Sequence, residues 1–149
     1  MRILGVDYGE KRIGLAIGET EVGMAFARPV LSGTGSREAD AGAVAEFARR
    51  EGCEKVVVGL PLLESGEEGR QAQVSREFGG MIAREGLNVQ FQDERYTSVA
   101  AEAALGHLKP KRRKAVADSE AARILLTEYL TGVSDDRSQK STPRDTDAS

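Results

Sequence analysis

Arg2-Ile3-Leu4-Gly5-Val6-Asp7, Tyr8-Gly9-Glu10-Lys11, Arg12-Ile13-Gly14-Leu15-Ala16-Ile17 opens the chain as two β-rich apolar runs joined by a short connection containing glycine. That pattern predicts a β-hairpin, with Asp7 where the first strand leaves the core. A half-buried carboxylate at a strand end is costly without a partner, and a divalent cation is one of the few partners available there. Asp7 is therefore the first candidate metal ligand. Its bland alternative is an ordinary turn residue.

Outward from the hairpin, Met24 to Leu31 reads as a third strand, with Pro29 putting it at an edge or near its end. Ser36 is placed to cap a helix carrying Ala39, Ala43, Val44, Phe47 and Ala48, which Gly52 stops. The unalternating run Val56-Val57-Val58-Gly59-Leu60 predicts a strand covered on both faces and ending at Pro61. Val74, Phe78, Met81 and Ile82 mark a helix over 71–85, closed by Gly86. Strict alternation in Leu87-Asn88-Val89-Gln90-Phe91-Gln92 predicts a strand with a wetter face, near a sheet edge. Thr97 or Ser98 then caps an alanine-rich helix to about Leu108. After a basic loop, a last helix carries Ala121, Ala122, Leu125, Leu126, Tyr129 and Leu130 on one stripe, closed by Gly132. The economical packing is an α/β fold: a mixed five-stranded sheet, three strands in antiparallel meander plus parallel strands, with helices on both faces. This gives one domain over 1–133 and, in the almost wholly polar stretch 134–149, a disordered tail.

The 149 residues suffice to bury roughly 68–70% of the surface of the unfolded chain. One cysteine, Cys53, leaves no internal disulfide; it is expected to pack as a small hydrophobe, and a reducing cytoplasm is the expected address. No leader pattern is evident, and no apolar run approaches the roughly 18 residues of a membrane span, so no membrane partner is expected. A net charge of −3, from 21 Lys+Arg against 24 Asp+Glu, argues against nucleic-acid binding by overall charge and leaves that task to a local patch.

Such a patch is Lys109-Pro110-Lys111-Arg112-Arg113-Lys114, ahead of Asp118. Lys11, Arg12 and Arg95 lie close in sequence to the other acids and are candidates for phosphate oxygens or for charge neutralisation. The acids stand at element boundaries: Asp7, the pair Asp93 and Glu94 after the last strand, and Asp118 at the expected start of the last helix, where a capping role competes. Strand parity makes Asp93 and Glu94 diverge, and Glu has the longer reach. Converging carboxylates repel unless cations lie between them. Mg²⁺ or Mn²⁺, as two ions about 3.5–4 Å apart, would suit phosphodiester hydrolysis. His107 has no companion ligand, and Gly5, Gly9 and Gly14 form no dinucleotide fingerprint.

Gly5-Val6-Asp7-Tyr8-Gly9-Glu10-Lys11-Arg12-Ile13-Gly14-Leu15-Ala16, Val57-Val58-Gly59-Leu60-Pro61-Leu62, Asp93-Glu94-Arg95-Tyr96-Thr97-Ser98 and Asp118-Ser119-Glu120-Ala121-Ala122 together resemble the YqgF/RuvX family, in order and up to about Gly132. Leu63 departs from the pattern. The resemblance implies a ribonuclease H-like fold and a metal-dependent nuclease, described either as a Holliday junction resolvase or as a pre-16S rRNA processing nuclease. It places the family's acids on Asp7, on Asp93 and Glu94, and on Asp118. The expectation is an endonuclease in which Asp7, Glu94 and Asp118 hold Mg²⁺ or Mn²⁺, with Asp93 as support or substitute. Lys11, Arg12, Arg95 and the Lys111, Arg112, Arg113 and Lys114 cluster would hold the backbone of branched DNA or precursor rRNA. Junction cutting would favour a homodimer, because two symmetric nicks need two sites. The rival reading is a noncatalytic nucleic-acid-binding module on the same fold; an actin-like ATPase needs a second such domain.

Overall fold

The computed structural model describes residues 1–93 and 110–135, with the side chains of 110–117 and 133–135 excepted. The hairpin forms as expected, β1 (Arg2–Asp7) against β2 (Arg12–Glu19), followed by β3 (Met24–Ser32), α1 (Arg37–Arg50), β4 (Lys55–Leu60), α2 (Arg70–Arg84), β5 (Asn88–Asp93) and α3 (Pro110–Asp135). The sheet order is β3-β2-β1-β4-β5. β1, β2 and β3 run as an antiparallel meander, whereas β4 is parallel to β1 and β5 to β4. β3 and β5 are the edge strands, the position expected for β5 and one of the two that Pro29 left open for β3.

Alternation along the strands assigns each face its cover. Leu4, Val6, Ile13, Leu15, Ile17, Val56 and Val58 pack beneath α1 and α2, with Val44, Phe78 and Ile82 among the buried helix residues. Ile3, Ala16 and Val57 face α3, which buries Ala122, Leu125, Leu126, Tyr129 and Leu130. β1 and β2 present mainly small residues to α3. A side chain at Gly5 would press on Leu126, and one at Gly18 on Leu130 and Leu126. The helix therefore lies close along the hairpin, in line with the dense packing of protein interiors.

Ser36 caps α1 as expected, its Oγ accepting the Ala39 N–H at 3.1 Å, and Gly52 follows the helix at φ 74°. The last helix departs from expectation. It begins at Pro110 and includes Lys111 to Lys114, where a basic loop was expected, and it continues through Asp135, past the expected stop at Gly132. The reason is local: Pro suits the first helical position, and Lys and Arg are good helix formers, so a run of charge does not by itself break a helix. Glu94, Arg95, the helix expected after Thr97 or Ser98, His107 and the tail from 136 lie outside the described residues.

Candidate active site

All strand ends that matter meet at one edge of the sheet. β1 ends there at Asp7, β2 starts there at Arg12, β3 ends at Ser32, paired with Arg12, and β4 and β5 end at the paired residues Leu60 and Asp93. α1 and α2 start at this edge, because each follows a strand that ends on it. In open sheets of this kind, ligands bind outside such strand ends.

Asp7 continues the alternation of Ile3 and Gly5, so it belongs to the α3 face, and its cross-strand partner is Gly14. Opposite Gly14 the β2–β3 ladder shifts register: Ile13 pairs with Leu31 and Leu15 with Arg28, leaving Pro29 and Val30 against a single residue. This is a β-bulge of the kind that accompanies sites and tolerates Pro. α3 docks on the bulge. The buried Ser119 hydroxyl donates to the Arg28 carbonyl at 2.7 Å, and the Asp118 carbonyl lies so close over Gly14 that a Cβ there would overlap it. Directly opposed strand residues have Cα atoms about 4.5–5.5 Å apart. Asp118 is thus stacked on the cross-strand neighbour of Asp7.

Asp118 lies in the third turn of α3, not at the helix start expected from sequence, so it has no capping role. Its Oδ2 instead accepts from Arg12 Nε at 2.8 Å, in a pair about one third exposed on each side. Asp93 is on the other face. Val57 of the α3 face pairs with Gln90, whereas Val58 pairs with Phe91, whose ring lies under Gly79 of α2. Asp93, two residues beyond Phe91, follows it to the α2 face, whereas Asp7 belongs to the α3 face. Glu94 and Arg95 fall outside the described residues, as do the side chains of Lys111, Arg112, Arg113 and Lys114. Among the described residues no cluster of three or more His, Cys, Asp or Glu could hold a metal ion.

The β1–β2 turn is braced from the α1 side. The Gly33 N–H donates to the Lys11 carbonyl at 2.9 Å, and a side chain at Gly33 would strike the Glu10 carbonyl. Asp40, 2% exposed, fixes the following loop by accepting from the Thr34 N–H at 3.1 Å and the Thr34 hydroxyl at 2.9 Å. Tyr8 stacks on Phe78 with centroids 4.0 Å apart. Burial pushes the Tyr8 phenol above its ordinary pKa, against the opposing charge of Arg37, so it remains a neutral hydrogen-bonding group.

Between these elements lies a cleft of about 490 Å³ lined by the turn 8–12, Asp118, Arg37 of α1, and Arg70, Gln71 and Val74 of α2. Lys11 and Arg12, both candidates from the sequence, line it. Arg37 and Arg70 were not foreseen. Each is the first residue of its helix, and the signal available in the sequence was a cation placed where helix electrostatics prefer an acid.

Residues 1–132 match the family model described as RuvX: Holliday junction resolvase. A Burkholderia ambifaria protein with the provisional name pre-16S rRNA nuclease is 40% identical over 136 residues, covering 89% of this chain and 91% of its own. A Thermus thermophilus protein of the same name is 39% identical over 132 residues, covering 87% and 97%. Among solved structures, Thermus thermophilus RuvC in complex with a Holliday junction substrate aligns with a TM-score of 0.57 at 19% identity, over 91% of this chain and 96% of that one. The yeast mitochondrial Holliday junction resolvase aligns with a TM-score of 0.51 at 8% identity, over 86% and 77%. These two structures establish the ribonuclease H-like fold.

Proposed function

The chain belongs to the RuvX family, and from that membership we propose that it is a nuclease hydrolysing phosphodiester bonds at the Asp7–Asp118 edge of the sheet. The observation that carries the reading is the close approach of the Asp118 backbone to Gly14, the cross-strand partner of Asp7, which supports a site shared by these two residues from distant parts of the chain. A turn residue and a helix-surface residue would have no reason to be so tightly registered. Carboxylates gathered at one strand end repel each other, and a cation between them relieves that repulsion.

The donors are carboxylate oxygens, the chemistry that suits hard Mg²⁺ or Mn²⁺ and not softer ions. Asp7 and Asp118 would hold the metal, with Glu94 completing the set by strand parity and Asp93 outside it. When bound, such a metal supplies charge neutralisation at the phosphoryl group and activation of water. The chain's own contribution is positional. Arg12 orients the Asp118 carboxylate, the bulge fixes the α3 backbone, and Lys11 adds positive charge where a scissile phosphate would lie.

Two substrates follow from the names its relatives carry: the end of a precursor 16S rRNA and a four-way DNA junction, the latter requiring two copies of the chain for symmetric nicks. Purified protein is expected to cut one of them with Mg²⁺ or Mn²⁺, and Asp7→Asn to abolish cutting while leaving binding in chelator unchanged. Full cutting by Asp7→Asn would overturn the ligand assignment. Binding without cutting by the wild type would make the chain a binding module.

A further inference from the structure

Among the described residues, the cleft beside the acids carries more positive charge than its ion pairs consume. Four cations from three elements line it: Lys11 and Arg12 of the hairpin, Arg37 of α1 and Arg70 of α2. Arg12 is committed to Asp118 at 2.8 Å, and Arg37 to Glu77 at 2.9 Å and Glu10 at 3.7 Å. Lys11 and Arg70 have no ion pair among the described residues. The nearest acid in sequence that could serve Arg70 is turned away, because Glu68 binds Arg76, with Nε at 2.8 and 2.9 Å from its two oxygens. Both unpaired cations are exposed at the cleft rim.

The setting of Arg70 adds to the imbalance. α1 starts with a Ser36 cap and with Glu38 and Asp40 in its first turn, whereas α2 starts at Arg70 behind Gly69, with no side-chain cap and no acid in that turn. A cation at the positive end of a helix opposes the helix dipole, a local conflict expected where function overrides stability. An anion in the cleft resolves the conflict and offsets Lys11 together with Arg70. A volume of about 490 Å³ leaves room for a backbone phosphate between the two cations.

We propose that Lys11 and Arg70 form a backbone-phosphate subsite, so that the bound strand leaves the Asp7–Asp118 edge across the β1–β2 turn toward the start of α2. The subsite takes its place along a cut strand from the nuclease reading, but its affinity for polynucleotide backbone does not require cutting. Contacts of this kind position a strand without reading its sequence.

Fluorescence-anisotropy titration of the full chain in EDTA tests this, with a labelled four-way DNA junction and a labelled RNA spanning a 16S precursor end, at KCl concentrations between about 50 and 200 mM. Arg70→Gln and Lys11→Gln are each expected to weaken binding about 3- to 10-fold and to lower the slope of log K against log salt by about one phosphate contact. Arg70→Lys retains most of the slope. Arg84→Gln removes a cation at the opposite end of α2, about 21 Å away along the helix axis, and leaves the slope unchanged. The subsite is overturned if Arg70→Gln and Lys11→Gln keep the wild-type slope, if Arg84→Gln loses as much, or if the wild type binds neither probe. Wild-type binding with the expected variant pattern but no cutting in Mg²⁺ or Mn²⁺ removes the nuclease reading and leaves the subsite standing. Cutting with an unchanged Arg70→Gln slope removes the subsite alone.

Discussion

At the scale of single residues, Gly14 decides more than any acid. Asp7 and Asp118 could each be a surface carboxylate, and what joins them is the absence of a Cβ between β2 and the α3 backbone. Gly14→Ala forces the Asp118 carbonyl away, and backbone cannot yield as a flexible side chain can. Overpacking of this kind costs about 1–3 kcal/mol. The expected outcome is a folded protein with a lower urea midpoint whose Mn²⁺ affinity, measured by calorimetry, falls at least as far as that of Arg12→Gln. Wild-type Mn²⁺ affinity in Gly14→Ala would show that the contact does not set the site. The sequence hinted at this position only through alternation: Gly14, Ala16 and Gly18 share a parity, but three small residues on one face are equally consistent with an open surface.

At the scale of elements, the strands were legible because their signals are local. Period-two alternation in β5, the unbroken apolar run of β4 and Pro29 in β3 each follow from residues within one element. The docking of α3 was not legible, since it depends on residues some ninety positions apart, with the Ser119 hydroxyl on the Arg28 carbonyl. The basic run hid the start of the helix, and so Asp118 was read as a boundary residue. Arg70 was missed for a related reason: its conflict with the dipole exists only once the helix start is placed. The Ser119 contact makes a separate prediction. Ser119→Ala leaves a carbonyl at the bulge without its donor, a loss of about 1–3 kcal/mol. Hydrogen exchange is expected to rise in the first half of α3 before the second half, which the buried Leu125, Leu126 and Leu130 hold to the sheet. Uniform exchange along the described part of α3 would show that the bulge contact does not anchor the helix.

At the scale of the whole molecule, the division of labour between the faces puts the Cys53 thiol inside the larger core. Cys53 precedes β4, 6% exposed, with its N–H donating to the Ala48 carbonyl at 2.8 Å at the end of α1. Burial pushes its thiol from 9.0 up to about 11, with nearby Arg2 acting in the opposite direction. The neutral thiol is the folded form, so ionisation favours the unfolded chain. Below pH 9 both states hold the proton and Cys53 contributes nothing to the pH dependence. Between pH 9 and about 11 the unfolded chain loses it first, and stability falls across that window. Other groups titrate in the same range, so the informative quantity is a difference. Urea midpoints at pH 8 and pH 10.5 are expected to fall further apart in the wild type than in Cys53→Ala, which starts lower because of the cavity it creates but has no thiol to ionise. The same burial predicts that a thiol reagent at pH 8 labels Cys53 only in denaturant, since the thiolate is the nucleophile and the folded chain withholds it. Equal pH slopes in the two proteins, together with rapid labelling of the native wild type, would place Cys53 outside the core and reopen the packing of α1 on the sheet.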